Sequence, residues 1–387
     1  MINVLFAGAS ALSNTFLNIY LWKLLKDLEQ IAIFNFYIFV FTAIGFAVAG
    51  WLAKRSDRLY TLRLGIGILA LFYVLILLLG ARVGSVYAWL GCLQGFGAGF
   101  YWLSFSVLVF EVTEPETRDQ FNGANGFLVA VAAGVAPLLA GQVLSMFADV
   151  GYRILFILSF SFFLAAVLIT WWLKLRSGPP LYDLYAGFRP EEHRALWQRT
   201  LTVALLMGFR EGTLYFLPFL LVFLVTKNEL LASRYLLLTS VLSLLSYYFV
   251  KRFLTFERRS TFVTVASFAL GGSVLLLLFQ VNTFSLFVFG IMNSLFTPIL
   301  LVPYSCLTYD VMGRLPQAVH RKVEYLVIRE AAVNLGRCLS ILVLIGGAAW
   351  FQDALAIRTS FLLVGVTAVI AMFFYRRSLE EYRACSK

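Results

Sequence analysis

The chain is poor in the charged residues that soluble proteins carry at their surfaces. Only 13% of its 387 residues are charged, whereas 61% are hydrophobic, and the mean hydropathy is +0.86. Because soluble domains carry about 25% charged residues, a soluble globular fold is excluded. The uncharged runs reach the length of about 17–25 residues that a helix needs to cross a bilayer.

Cysteine and histidine are scarce as well. The chain has 4 Cys and 2 His, and the cysteines show no paired spacing. This pattern argues against a disulfide framework and against a metal site. The sequence also shows no nucleotide-binding loop and no nucleophile–base arrangement, so we predict neither an enzyme nor a bound cofactor. The net charge of +11 is concentrated in alternate loops, which is typical of a membrane protein and argues against nucleic acid as a partner.

The apolar segments predict an all-α membrane protein with twelve transmembrane helices. Loops on one side of these segments hold 21 Lys and Arg residues and the opposite loops hold 7. The positive-inside rule therefore predicts that both termini are cytoplasmic. We expect a multi-pass, monomeric protein of the cytoplasmic membrane. The predicted spans are 2–24, 31–53, 62–80, 85–110, 121–147, 153–174, 201–226, 232–253, 260–280, 284–309, 322–350 and 356–375.

A faint internal repeat divides the chain into two halves. Lys54-Arg55, after the second predicted span, recurs as Lys251-Arg252 after the eighth, half a chain length later. Many transporters are built from such repeats and place their site at the repeat interface. The predicted domains are an N-terminal six-helix bundle (1–175), a cytoplasmic linker (176–200) and a C-terminal six-helix bundle with a short cytoplasmic tail (201–387).

The six-plus-six arrangement and one loop motif resemble the major facilitator superfamily. That family carries Gly-x-Leu-Ala-Asp-Arg-x-Gly-Arg-Arg after its second helix, and this chain has Gly50-Trp51-Leu52-Ala53-Lys54-Arg55-Ser56-Asp57-Arg58. The resemblance implies a conformational role for this loop in latching the two halves. Lys54 stands where the family's aspartate contributes to that latch, which puts the latch in doubt. The gating residues predicted here are Gly50, Arg55, Asp57 and Arg58.

The fifth predicted span carries a second family-like motif. Gly126 is followed by Gly134-Val135-Ala136-Pro137-Leu138-Leu139-Ala140-Gly141, which resembles the Gly-rich motif of the family's exporters. The resemblance implies alternating access and favours export. Prolines inside spans free backbone carbonyls and favour kinks, so we also predict gating roles for them. These prolines are Pro137, Pro298 and Pro303.

Adjacent arginine and glutamate residues lie deep inside two spans of the C-terminal half. Ionised groups in hydrocarbon cost several kcal/mol unless they pair or face water, so we predict the substrate or ion pathway here. The two pairs lie at similar depth along their spans, so a pair between Arg210 and Glu330, or between Glu211 and Arg337, is geometrically reasonable if the two helices are close. The candidate residues are Arg210, Glu211, Arg329, Glu330, Asn334 and Arg337.

Two interpretations of these charges remain open. In one, they neutralise each other and fix the packing of the seventh and eleventh spans. In the other, Glu211 or Glu330 takes up and releases a proton, or an arginine holds an anionic part of the cargo. The N-terminal spans carry no charge, and we predict that Asn14 and Gln94 line the pathway on that side, with interhelical hydrogen bonding as the alternative role.

The sequence predicts a secondary active transporter that works by alternating access and exports a small amphipathic compound by proton-coupled antiport. An alternative is a flippase for a lipid or lipid-linked precursor, whose phosphate would meet the arginines. An alternative from a different class is a non-transporting membrane scaffold or sensor. The expected partners are the lipid bilayer, the small-molecule or lipid substrate, and protons as the coupling ion.

Overall fold

The computed structural model describes residues 1–56, 58–112, 115–172, 182–318, 320–350 and 353–384, and this part of the chain is helical and without strands. A short 3₁₀ helix covers Gly80–Ser85. The α-helices are α1 (Ile2–Leu25), α2 (Leu28–Arg55), α3 (Arg58–Leu79), α4 (Tyr87–Val112), α5 (Pro115–Thr170), α6 (Leu184–Phe188), α7 (Arg194–Leu214), α8 (Leu217–Thr226), α9 (Glu229–Phe253), α10 (Arg259–Phe279), α11 (Thr283–Arg314), α12 (Lys322–Trp350) and α13 (Asp353–Ala384).

Length and hydropathy identify the membrane-crossing helices. Among the described residues, 11 helical segments are long and apolar enough to span a bilayer, and Gly134–Phe147 is a shorter apolar stretch inside α5. The chain is therefore a multi-pass membrane protein. A twelfth span and the cytoplasmic placement of the termini stay predictions.

Helix α5 covers 56 residues and reverses direction within that length. A Cβ placed on Gly151 would lie 3.1 Å from the Cα of Leu144 and 3.1 Å from the carbonyl oxygen of Val143. Those positions precede Gly151 by seven and eight residues, a separation that would rise about 10–12 Å along a straight helix. The helix therefore folds back between these residues, where the sequence predicts the turn between its fifth and sixth spans.

The chain folds into two compact units. Unit 1 comprises Met1–Tyr182 with Thr226–Leu237, and unit 2 comprises Asp183–Val225 with Leu238–Lys387. The N-terminal end of α9 thus belongs to unit 1 and the rest of that helix to unit 2. Residues 173–181, which include the beginning of the predicted linker (176–200), lie outside the described part of the chain.

Glycines allow α4 to pack directly on the backbone of α2 in unit 1. A Cβ on Gly95 would lie 2.1 Å from the carbonyl oxygen of Ile38, and one on Gly99 would lie 2.5 Å from that of Thr42. Gly91 continues the same stripe one turn earlier, against Phe34. Small residues at every fourth position let two membrane helices approach closely, so this stripe serves packing.

The predicted seventh span, 201–226, corresponds to the segment Arg194–Thr226, which a short break divides into two helices. In the structure α7 begins earlier, at Arg194, and ends at Leu214, and α8 begins at Leu217. Pro218 explains the break, because proline has no N–H to donate to the carbonyl four residues earlier, which is that of Leu214. At the other end, the buried Trp197 ring donates from Nε1 to the carbonyl oxygen of Gly187 at 3.2 Å and fixes the first turns of α7.

Helix α11 continues through both of its prolines. Pro298 leaves the carbonyl of Ser294 without an intrahelical donor, and Ser243 of α9 donates its hydroxyl to that oxygen at 3.3 Å. Pro303 also lies within the helix. A neighbouring helix therefore satisfies the freed carbonyl in a region that has no water to do so. The gating roles of Pro298 and Pro303, and of Pro137 inside α5, stay predictions.

The loop between α2 and α3 is short. Gly50 is buried near the end of α2, and the Arg55 guanidinium lies 4.5 Å from the centre of the Trp51 ring. Arg58 begins α3 and is buried, as is Lys54. Asp57 lies outside the described residues. The conformational role of this loop stays a prediction.

Candidate functional site

Glycines bring the backbones of α7 and α12 into contact in unit 2. A Cβ on Gly208 would lie 2.0 Å from the carbonyl oxygen of Val333, and one on Gly336 would lie 2.0 Å from that of Leu205. Gly212 lies one turn after Gly208 and meets the backbone of α12 in the same way, at 2.4 Å. Because no side chain separates the two helices here, polar groups beside the glycines can reach across.

An ion pair links these two helices. Arg337 of α12 donates from Nη2 to Oε2 of Glu211 on α7 at 2.7 Å, and it donates from Nη1 to Oδ1 of Asn334 at 3.1 Å. The side chains of Arg337 and Glu211 keep 24% and 31% of their surface exposed. The predicted cross-pair between Glu211 and Arg337 is therefore formed, and both partners remain accessible to a ligand or a proton.

The other predicted cross-pair, Arg210 with Glu330, is not formed. Arg329 pairs with its own neighbour, Glu330, and Asn334 donates to the Glu330 backbone carbonyl at 2.9 Å. Helical spacing places the Arg329 and Glu330 side chains in different directions, but the long arginine chain turns back to reach the carboxylate. Spacing describes the direction of a Cβ and does not limit where a flexible side chain ends.

Arg210 is held by neutral groups. Its side chain is 3% exposed, and it donates from Nη2 to Oδ1 of Asn293 at 2.5 Å and to Oγ1 of Thr297 at 2.9 Å. Thr297 also donates to Asn293, at 3.2 Å. None of the ion pairs among the described residues includes Arg210. The sequence interpretation missed Asn293 and Thr297, whose spacing of four residues on α11 was the available signal.

The polar residues predicted in the N-terminal half lie together in unit 1. Oδ1 of Asn14 accepts hydrogen bonds from the Tyr73 hydroxyl at 2.6 Å and from Nε2 of Gln94 at 3.0 Å. One turn along α1, Asn18 accepts from Asn35 at 2.8 Å. This amide cluster is neutral and links α1 to α2, α3 and α4. Tyr73 was not predicted from the sequence, since a tyrosine in an apolar run resembles core packing.

The described residues hold no group of three or more His, Cys, Asp or Glu side chains arranged to bind a metal ion. The candidate positions carry amides, hydroxyls, carboxylates and guanidinium groups, which can bind the polar and charged parts of a small molecule.

Comparison with known proteins identifies relatives over nearly the whole length. The model of the family described as Major Facilitator Superfamily matches residues 1–302. A Bacillus subtilis (strain 168) protein called Uncharacterized protein YqgE is 37% identical over 373 residues, which cover 96% of this chain and 87% of that relative.

Solved transporter structures have the same fold. The D-xylose-proton symporter superposes with a TM-score of 0.73 at 14% identity, over 97% of this chain and 95% of that one. The human organic anion transporter MFSD10 (TETRAN) superposes with a TM-score of 0.72 at 14% identity, over 97% of this chain and 98% of that one. At such low identity these likenesses show the fold alone.

Proposed function

Because the chain belongs to the major facilitator superfamily, we propose that it is a secondary active transporter that works by alternating access and couples the export of a small amphipathic compound to protons. We place it in the cytoplasmic membrane with both termini in the cytoplasm. The observation that carries this proposal is the accessible ion pair between Glu211 of α7 and Arg337 of α12.

An ion pair at membrane depth can change its proton occupancy when its geometry changes. A carboxylate beside an arginine is held ionised, and one that loses its partner in an apolar environment takes up a proton instead of carrying an unpaired charge. Glu211 lies on a helix that ends only three residues later, at Leu214. A displacement of α7 relative to α12 would therefore separate Glu211 from Arg337 and switch its protonation.

Glu330 offers a second proton-binding group on the same helix as Arg337. It pairs with Arg329, and its side chain keeps 16% of its surface exposed. We propose that Glu211 is the principal coupling residue, because its partner lies on a different helix, whereas Glu330 and Arg329 move together on α12. The fold is compatible with such coupling, since the D-xylose-proton symporter shares it.

The charged groups of unit 2 support an amphipathic cargo. Unit 2 presents guanidinium and carboxylate groups on α7 and α12, and these groups suit the charged end of such a compound. The Gly-rich motif around Pro137 supports export.

Transport into proteoliposomes tests the proposal. Purified protein is reconstituted in vesicles with an acidic interior, and the uptake of two fluorescent amphipathic probes is recorded: ethidium, which is cationic, and anilinonaphthalene sulfonate, which is anionic. We expect proton-driven uptake of at least one probe. Glu211→Gln should abolish the dependence on the pH gradient, whereas exchange of probe without a gradient should continue.

The matched control is Arg199→Gln, on the same helix as Glu211. Arg199 pairs with Glu381 at an exposed position, so its loss should leave uptake unchanged. Undiminished gradient-driven uptake by Glu211→Gln and by Glu330→Gln would contradict proton coupling through these carboxylates. The absence of flux for both probes and for a wider panel of amphipathic compounds would support a non-transporting scaffold instead.

A further inference from the structure

The ionised side chains in the middle of α7 and α12 do not balance. Three are arginines, at positions 210, 329 and 337, and two are glutamates, at positions 211 and 330. Each glutamate pairs with one arginine, Glu211 with Arg337 and Glu330 with Arg329. Arg210 is left as a buried positive charge without a carboxylate partner among the described residues.

The surroundings of Arg210 hold the guanidinium in place without neutralising it. Asn293 and Thr297 accept two hydrogen bonds, both donated by Nη2, and both acceptors are uncharged. Neither Nη1 nor Nε bonds to a described residue. A guanidinium has five N–H donors and stays charged in proteins, and a buried charge is costly unless a counter-charge accompanies it. The N–H donors on Nη1 and Nε of Arg210 can therefore bind an anion.

From this imbalance we propose that Arg210 binds the anionic group of the cargo. The inference rests on the proposed transport function and specifies its substrate class: an amphipathic molecule that carries a carboxylate, sulfonate or phosphate. A single negative charge suffices to neutralise Arg210. Guanidinium groups bind such oxyanions through charge-assisted hydrogen bonds, which are about twice as strong as neutral ones.

The test measures binding, which does not require transport. Protein purified in dodecyl maltoside is titrated with octanoate and with octylamine, which have the same chain length and opposite charge. Isothermal titration calorimetry and the shift in unfolding temperature report binding, since a ligand of the native state stabilises it. We expect octanoate to bind the unmodified protein about ten-fold more tightly than octylamine does.

The decisive variant is Asn293→Asp. It keeps Arg210 and changes one amide to a carboxylate, 2.5 Å from Nη2 in the present geometry. The new carboxylate would supply the missing counter-charge, so octanoate affinity should fall about ten-fold or more while the unfolding temperature rises. Arg210→Gln should lose octanoate binding as well, and Arg210→Lys should retain part of it. If Arg210→Gln does not fold, Asn293→Asp alone decides the outcome.

The matched control addresses arginine chemistry outside the site. Arg199→Gln removes an exposed arginine from the same helix, where it pairs with Glu381, and should leave octanoate affinity unchanged.

Equal affinities for octanoate and octylamine, or an Asn293→Asp protein that binds octanoate as the unmodified protein does, would overturn the proposal. Competition by dihexanoyl phosphatidylglycerol separates two sources of the anion. A lipid that displaces octanoate with higher affinity indicates a lipid headgroup, and its failure to compete indicates a free amphipathic anion. Anion-selective binding without proton-driven flux would support this inference while refuting the proposed coupling.

Discussion

The two units of this protein solve the problem of polar groups inside a membrane in different ways. Unit 1 uses neutral amides: Asn14 accepts from Tyr73 and Gln94, and no charge is involved. Unit 2 uses ionised groups, with Arg337 bonded to Glu211 across α7 and α12. Both units achieve close helix contact through glycine, so the difference lies in the side chains beside the glycines.

The contrast shows what charge adds to a helix interface. Amide pairs between membrane helices contribute about 0.6–2 kcal/mol and leave no charge to balance. Ionised groups are costly at this depth and are retained where they serve a pathway or pair with one another. Unit 2 carries that cost together with an arginine that has no carboxylate partner among the described residues, and this arginine is the basis of the proposed anion site.

The largest expected effect concerns the glycines that both units share. Gly208→Ala would place a Cβ 2.0 Å from the Val333 carbonyl oxygen, and Gly95→Ala would place one 2.1 Å from that of Ile38. Because a backbone atom cannot move aside, each should destabilise the protein by about 3 kcal/mol or more. Thermal unfolding in detergent measures both.

The two glycine variants should differ in how well they bind octanoate. Gly208→Ala should also weaken octanoate, because it separates Glu211 from Arg337 and displaces Arg210, whereas a folded Gly95→Ala protein should bind octanoate normally. Gly346→Ala is the control, since a Cβ there meets nothing within 4 Å. Equal losses of octanoate binding in the two destabilised variants would remove the distinction between the units.

The same substitution should have opposite effects in the two units. Asn14→Asp introduces a carboxylate into a neutral cluster and should destabilise the protein by about 2–3 kcal/mol, the cost of an acidic residue at membrane depth. Asn293→Asp places the carboxylate against Arg210 and should stabilise the protein by about 1 kcal/mol. Unfolding temperatures of the two variants, compared with Asn228→Asp at a helix end, test this difference. Stabilisation by Asn14→Asp would show that unit 1 also holds an unbalanced positive charge.

A smaller effect is expected when the ion pair loses one member. Arg337→Leu leaves the Glu211 carboxylate unpaired and should lower the free energy of unfolding by about 2 kcal/mol. Breaking a fully buried pair would cost more, but both of these side chains are partly exposed. The double variant with Glu211→Leu should recover most of that stability, yet transport driven by a pH gradient should remain absent. Thermal unfolding and vesicle uptake separate the two roles. Recovery of transport in the double variant would indicate that the pair serves packing alone.

Patterns along single helices were predicted well from the sequence. Uncharged length identified the spans, because this property is set by residues close together in the chain. The pair between Glu211 and Arg337 was also predicted, since the depth of a residue along its helix can be counted. The roles of these residues in transport stay predictions.

Contacts between helices were predicted less well. Asn293 and Thr297 were missed, because nothing in the sequence indicates that α11 lies beside Arg210. The supposed pair between Arg210 and Glu330 is wrong, because a nearer arginine, Arg329, occupies the carboxylate. The break before Leu217 could have been found from Pro218, whose missing N–H ends the preceding helix.

The sequence by itself determined that this chain spans a membrane, that the charged residues deep inside its predicted spans are confined to its C-terminal half, and that arginines outnumber glutamates among them. Composition and periodicity suffice for those conclusions, because the free energy of transferring a side chain from water to hydrocarbon depends mainly on that side chain itself. Only the tertiary structure decided which arginine lacks a carboxylate. Pairing depends on the reach of side chains across helices that are distant in the chain, and those distances arise when the helices pack.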